Sequence, residues 1–267
     1  MNIVIMIKLP ESIKKEIENE TYEVDSIGMS GSGIFLFQDR VLKIQVNSDG
    51  AENEVQAMKW LEGRLSVPKV IVYERGGNKS YLLMTKTAGQ MACDEQYMEN
   101  PEKFTMLLAQ ALQELWRVDI SACSLDWSLD RKLEVARFYV ENNLVDLDNV
   151  EPETFGPDGF ESPAALLQWL VEHKPPEELV LSHGDFCLPN IFIGEDGKFT
   201  FIDLGRTGVA DKWQDIALCY RSLKHNYEGK YGGKVYPGYK PELLFEKLGL
   251  VPDWEKIRYY ILLDELF

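Results

Sequence analysis

The stretch Ser182-His183-Gly184-Asp185-Phe186-Cys187-Leu188-Pro189-Asn190 sets an aspartate and an asparagine five residues apart. A second aspartate, Asp203, follows in the apolar run Phe201-Ile202-Asp203-Leu204-Gly205. These residue types suit one piece of chemistry. A carboxylate at Asp185 can orient a hydroxyl and accept its proton. Asn190 and Asp203 offer the oxygen ligands that magnesium, a hard cation, prefers. The flanks supply the elements that must position these groups. Residues 178–181 read as a short strand entering the loop. Residues 191–193 and 199–202 read as a hairpin turning at Glu195-Asp196-Gly197-Lys198. Asp203 then falls at the end of a buried strand, where a carboxylate needs a partner.

The 267 residues are enough for one or two domains with sizeable cores, and 45% hydrophobic with 27% charged residues is ordinary for a globular protein. A formal net charge of −16 argues against a nucleic acid or an anionic membrane as partner and is compatible with a cationic small substrate. The four cysteines, Cys93, Cys123, Cys187 and Cys219, have no metal-ligand spacing and are expected to be free thiols in a reducing cytoplasm. The apolar run at residues 1–7 is too short for a signal segment or a membrane span.

Upstream, residues 10–19 suggest a short helix and residues 22–27 a strand. Gly28-Met29-Ser30-Gly31-Ser32-Gly33 then precedes a second strand, and small residues there let backbone N–H groups approach a phosphate. Residues 41–46 are strand-like. Alternation puts Leu42, Ile44 and Val46 on one face and Lys43 on the other. A helix over about 50–63 carries the apolar stripe Ala51, Val55, Met58 and Leu61, with Glu54 inside it. A carboxylate on a buried face needs a cation, and Lys43 is the natural one; the alternative places Glu54 at the stripe's edge, reaching water. Residues 70–74 and 80–84 read as two more strands.

Thr85-Lys86-Thr87-Ala88-Gly89 is polar and reads as a linker whose backbone can bond an adenine edge. From about Gln90 the pattern turns helical, with helices expected over 101–118, 129–144 and 163–173. Residues 145–161 form an acidic loop. Residues 211–223 read as a helix with Asp211 near its N-cap, and 241–248 and 253–267 as two more. The glycine- and tyrosine-rich residues 227–239 read as a loop without an assigned role.

The order of the central motifs is similar to that of protein kinases, H-R-D-x-x-x-x-N and then D-F-G, with a strand lysine paired to a helix glutamate. More specifically, the chain resembles the aminoglycoside 3′-phosphotransferases (kanamycin kinases) over most of its length. The resemblance is carried by Leu181-Ser182-His183-Gly184-Asp185, Asn190-Ile191-Phe192, Phe201-Ile202-Asp203-Leu204-Gly205-Arg206, Ala210-Asp211-Lys212-Trp213 and Asp215-Ile216-Ala217. It is carried too by Trp60-Leu61-Glu62-Gly63, Val67-Pro68-Lys69-Val70 and the ending Leu262-Leu263-Asp264-Glu265-Leu266-Phe267.

The resemblance implies an α+β, two-lobed protein-kinase-like fold. A small antiparallel β lobe, residues 1–86, would bind nucleotide. A larger, mainly helical lobe, residues 87–267, would hold the catalytic and substrate groups, with a linker at about 85–90. It implies transfer of the γ-phosphoryl of ATP, with Mg2+, to the 3′-hydroxyl of an aminoglycoside. On that footing Asp185 is the catalytic base, and Asn190 and Asp203 hold magnesium. Lys43, held by Glu54, binds the nucleotide phosphates. Met29 and Ser30 lie over those phosphates, and Thr85 and Thr87 border the nucleotide in the linker. Arg206 lies beside the transferring phosphate or the substrate. Asp264, Glu265 and the carboxylate of Phe267 take substrate ammonium groups, with Glu151 and Glu153 of the acidic loop adding to them.

The chain departs from the family pattern at three places. Val41 stands where some relatives carry an aromatic that stacks on adenine. His225-Asn226 stands where some have an acidic pair, and the glycine-rich stretch after it is unusual. The competing expectations are a kinase for another small cationic alcohol such as a choline-like metabolite, a catalytically silent nucleotide-binding module, and a structural protein with a chance motif.

Overall fold

The computed structural model describes residues 9–18, 20–25 and 33–267. In chain order the elements are α1 (Glu11–Glu16), β1 (Glu23–Asp25), β2 (Gly33–Leu36), β3 (Arg40–Val46), α2 (Asp49–Leu61), β4 (Val70–Gly76), β5 (Lys79–Thr85), β6 (Gln90–Met91), α3 (Glu95–Met98) and α4 (Pro101–Trp116). There follow α5 (Leu129–Glu141), α6 (Pro163–Glu172), β7 (Leu179–Ser182), a 3-10 turn at Leu188–Asn190, β8 (Ile191–Ile193), β9 (Phe199–Phe201), β10 (Gly208–Asp211), α7 (Lys212–Tyr227), α8 (Leu243–Leu248) and α9 (Trp254–Asp264).

The chain divides into two compact units. Unit 1 is the described chain through Gly89 together with Phe192–Gly205; unit 2 is Gln90–Ile191 with Arg206–Phe267. Unit 1 is built on an antiparallel sheet in the order β1-β2-β3-β5-β4. Its alternation sorts the side chains. Leu42 and Ile44 join Leu9, Ile13, Phe35, Tyr81 and Leu83 in one core cluster. Lys43, between them, points to the opposite face, where α2 packs. Val46, expected in the aliphatic row, is instead 64% exposed, because β3 ends there and the chain leaves the sheet. Ser48 starts α2 by accepting a hydrogen bond from the Ala51 N–H, and Asp49 and Glu52 sit favourably at the positive end of the helix. The helix buries Ala51, Val55, Met58 and Leu61, the stripe the spacing predicts, and Glu54 with them.

Unit 2 is mainly helical. Its helix starts follow the same local rules: Asn100 caps α4 with Pro101 in the first turn, Ser162 caps α6 with Pro163, and Asp253 caps α9. Asp211 caps α7, which continues to Tyr227 rather than ending at Leu223, because His225 and Tyr227 are themselves buried. Several expected helices are shorter than the sequence reading: α1 stops at Glu16, and α5 stops at Glu141 before Asn143 takes φ +54°. The stretch after α7 is anchored by aromatics. Tyr239 stacks on Tyr227 with centroids 3.6 Å apart, Tyr236 meets Tyr227 edge-on, and the Tyr227 hydroxyl donates to the Met98 carbonyl. Cys93, Cys123, Cys187 and Cys219 are free thiols. Among the described residues no helix is long and apolar enough to cross a membrane.

Candidate active site

Unit 1 brings together Lys43, Glu54 and Asp203. The Lys43 ammonium donates to both Glu54 oxygens, at 3.1 and 3.0 Å, and to Asp203 Oδ1 at 2.9 Å. The ion pair expected between strand and helix is therefore formed, and Gln45 adds a hydrogen bond to Glu54 at 3.3 Å. Burial alone would lower the Lys43 ammonium, but the charges of Glu54 and Asp203 outweigh it and hold it above the ordinary lysine value. Burial raises the Glu54 carboxyl against the pull of Lys43. Asp203 follows β9 with φ +57°, a left-handed conformation that Asp tolerates better than most residues. Its carboxylate is 43% exposed, with Oδ1 bonded to Lys43. Thr85 ends β5, and its hydroxyl accepts from the Lys69 N–H at 2.9 Å; Thr87 is half-buried beyond it. Met29 and Ser30 lie outside the described residues.

Unit 2 brings together Asp185 and Asn190. The Asn190 amide nitrogen donates to the Asp185 carbonyl and to Asp185 Oδ2, both at 3.0 Å. With its donors so placed, the amide oxygen of Asn190 faces away from Asp185. The loop that carries the pair is braced by a residue for which the sequence reading had no role. Asp215 on α7, fully buried, accepts from the Ser182 hydroxyl at 3.0 Å, the His183 N–H at 2.8 Å and the Gly184 N–H at 2.9 Å. Burial raises the Asp215 carboxyl, against the opposing pull of these N–H groups and of charges that include the buried Lys132. Lys132 is in turn lowered by burial to about 8.

Gly184 is required by a close approach. A β-carbon there would lie 2.1 Å from the Arg206 carbonyl oxygen, and its φ is +83°. The one sequence signal that could have found Asp215 is its spacing: Leu218 and Cys219, three and four residues on, put this acid on an apolar helix face, where it needs a buried partner.

The remaining candidates form a chain of alternating charges in unit 2. Arg206 donates to Asp264 Oδ1 at 2.8 Å, Arg221 bonds Asp264 Oδ2, and Arg221 reaches Glu265 Oε1 at 3.3 Å. Glu265 Oε2 accepts from the Glu151 N–H at 2.6 Å. The Arg206 guanidinium lies 4.6 Å from the centre of the Phe267 ring. Burial would raise the Asp264 carboxyl, but the two arginines hold it below the usual range, whereas burial raises Glu265. Arg221 was not singled out from the sequence. Glu153 is exposed and stands apart from this chain. An open cleft of about 410 Å³ runs along the acidic loop, lined by Leu147, Val150, Glu151, Phe155 and Glu161 among others.

Glu151 also receives Lys230, at 2.9 and 3.0 Å, and lies 3.1 Å from His225 Nε2. The other ring nitrogen of His225 is 3.1 Å from the Tyr231 hydroxyl. Burial lowers His225 to about 4 against the pull of the Glu151 carboxylate, and the charges of Lys230 and Arg221 lower it further. The ring is thus neutral at pH 7; its Nε2 lies 3.3 Å from the Lys230 ammonium, which can only donate, so Nε2 accepts there and Nδ1 carries the proton toward the Tyr231 hydroxyl.

A stability effect follows from this shift. The unfolded chain binds a proton at His225 below about pH 6.5, and the folded chain does so only near 4. Stability is therefore lost as pH falls through that window. Between pH 7 and 5 the melting temperature of the protein is expected to fall further than that of His225→Gln. Equal slopes for the two would show that His225 is not held neutral.

Among the described residues there is no cluster of three or more His, Cys, Asp or Glu side chains that could hold a metal ion.

Residues 11–260 match the sequence profile of a family described as the phosphotransferase enzyme family. An aminoglycoside 3′-phosphotransferase of Enterococcus faecalis is 40% identical over 274 residues, which cover 97% of this chain and 98% of that protein. One of Niallia circulans is 36% identical over 267 residues and 97% of each chain. Among solved structures, an aminoglycoside-3′-phosphotransferase of type VIII is 27% identical, with a TM-score of 0.77 over 92% of this chain and 94% of that one. An aminoglycoside phosphotransferase of Streptomyces rimosus, 23% identical, has the same fold, with a TM-score of 0.79 over 96% of each chain.

Proposed function

We propose, because the chain belongs to the phosphotransferase enzyme family and within it to the aminoglycoside 3′-phosphotransferases, that it transfers the γ-phosphoryl group of ATP to the 3′-hydroxyl of an aminoglycoside and so inactivates the antibiotic. The observation that carries the reading is the clamp on Lys43. An ammonium kept charged and fixed between Glu54 and Asp203 is what binding of nucleotide phosphates requires.

On this reading Asp185 orients the substrate hydroxyl and accepts its proton as the oxygen–phosphorus bond forms and the nucleoside diphosphate leaves. Asn190 and Asp203 hold Mg2+. The donor set fits: an amide oxygen turned away from Asp185 and a half-exposed carboxylate are the hard ligands magnesium takes, and phosphates supply others. Bound there, the ion neutralises phosphate charge. Met29 and Ser30 cover the phosphates, and Thr85 and Thr87 border the nucleotide. Arg206 lies beside the phosphate or the substrate.

Substrate ammonium groups meet Glu151, Glu153, Asp264 and the carboxylate of Phe267. Asp264, bonded to two arginines, is 13% exposed and has acceptor sites left for an ammonium, whereas Glu265 is 3% exposed with both oxygens engaged, so its part is to hold Arg221 and the Glu151 backbone in place. Most of the rate then comes from positioning and charge neutralisation, since phosphoryl transfer asks little covalent chemistry of a protein.

The test is magnesium-dependent ATP turnover with kanamycin beside tobramycin, which lacks the 3′-hydroxyl. Turnover with kanamycin and little with tobramycin is expected. Equal turnover with both would move the target hydroxyl, and turnover with neither would overturn the reading.

A further inference from the structure

Three of the carboxylates proposed for the substrate site, Glu151, Asp264 and Glu265, are countered by cations of this chain. Asp264 has Arg206 and Arg221, Glu265 has Arg221, and Glu151 has Lys230. His225, though 3.1 Å from Glu151, is neutral at pH 7 and does not neutralise it. The three cations differ in how readily they can leave.

Arg221 is mostly buried and bridges two carboxylates, its planar fork matched to them. Arg206 is held by Asp264 and lies on the Phe267 ring. Lys230 is the most exposed of the three; among the described residues Glu151 is its one carboxylate partner, and the neutral His225 Nε2 lies 3.3 Å from its ammonium. Lys230 sits between Gly229 and Gly232, both at positive φ, and next to Tyr231, whose ring meets His225 edge-on. A lysine on a flexible stem in an exposed pair is weakly held. It also carries the group that an amino-sugar substrate would bring, an alkylammonium.

We propose that Lys230 is an internal substitute for a substrate ammonium: it occupies Glu151 in the free protein and is displaced when a cationic substrate binds. The inference rests on the function proposed above and adds a specificity-determining residue to it. Exchange of one ammonium for another at Glu151 leaves the number of ion pairs unchanged, so a substrate gains little there from its own charge. A substrate without an ammonium at that place leaves Lys230 where it is, and Glu151 is never stranded. Lys230 thus levels the protein's preference between substrates that differ in charge at this point.

Kanamycin affinity separates the alternatives. Lys230→Gln, Lys230→Arg and a control of equal net charge on exposed α1, Lys15→Gln, are compared with the unchanged protein. The readouts are steady-state kinetics and calorimetric titration without nucleotide. Lys230→Gln is expected to lower the kanamycin KM and Kd about three- to tenfold, with the effect in KM rather than kcat and none on the KM for ATP. Lys230→Arg is expected to remain near the unchanged protein. In the Glu151→Gln background the Lys230→Gln gain is expected to vanish, because the two residues act through one contact.

Unchanged or weaker kanamycin binding by a folded Lys230→Gln, or an equal gain from Lys15→Gln, would overturn the inference while leaving the proposed function standing. Should Lys230→Gln fail to fold, Lys230→Ala carries the same comparison. An unchanged protein that neither binds nor phosphorylates kanamycin would overturn the function and the inference together.

Discussion

Asp185→Asn is expected to lower turnover by about 10²- to 10⁴-fold while ATP binds with near-native affinity. The substitution keeps the shape of the side chain. Its amide can still present an oxygen to the Asn190 nitrogen, which now donates to Asp185 Oδ2 and to the Asp185 carbonyl, so the loop keeps its geometry. The loss is of a proton acceptor alone. The nucleotide groups assigned to unit 1, chiefly Lys43 with Glu54 and Asp203, are untouched. Turnover should be followed with kanamycin under saturating ATP, and nucleotide affinity by direct titration. Near-native turnover would remove Asp185 from the mechanism, and a parallel loss of ATP binding would give it a structural role instead.

The second large effect belongs to a residue that meets no substrate. Asp215→Ala is expected to destabilise the protein by about 2 kcal/mol or more, since it strands two buried donors at roughly 1–3 kcal/mol each. Those donors are the Ser182 hydroxyl and the His183 N–H, just before Asp185; the Gly184 N–H keeps its second acceptor, Ser182 Oγ, at 3.1 Å. At about 2–4 °C per kcal/mol for a chain of this size, the melting temperature should fall by roughly 5 °C or more. Activity should fall further than the folded fraction does, because the loop that aims Asp185 loses its brace. Asp215→Asn is informative beside it. An amide can accept from at most some of these donors, and its own N–H₂ then faces another donor, so it too should be destabilised. A melting temperature within 2 °C of the unchanged protein for Asp215→Ala would show that water replaces the carboxylate without loss.

The parts legible in the sequence were those with a local period or a local cap. Lys43 and Glu54 could be paired on paper because strand alternation and helix spacing each fix a face, and only eleven residues separate them. The start of α7 was visible in Asp211, and those of α4 and α6 in the apolar periodicity that begins at Pro101 and Pro163. The charge chain of unit 2 was not. Glu151 meets Lys230 across 79 residues, and Arg221 meets Asp264 across 43, and neither contact leaves a periodic trace. The end of α7, expected at Leu223, was missed for a like reason: the polar His225 beyond it is buried by contacts distant in sequence, and α7 runs on past it. Nor does local pattern tell that Phe192–Gly205 returns to unit 1, since a hairpin reads alike wherever it packs.

That return has a consequence for how the protein is made. Lys43 and Glu54 leave the ribosome almost together, but Asp203 and its hairpin follow more than a hundred residues after Gly89. At about 5–20 residues per second the interval is on the order of ten seconds. Throughout it, the nascent first unit has its Lys43–Glu54 pair but neither Asp203 nor the Phe199–Phe201 strand. A fragment ending at Gly89 would therefore be an arrested biosynthetic intermediate rather than a minimal nucleotide-binding module, and it would be a natural client for a chaperone.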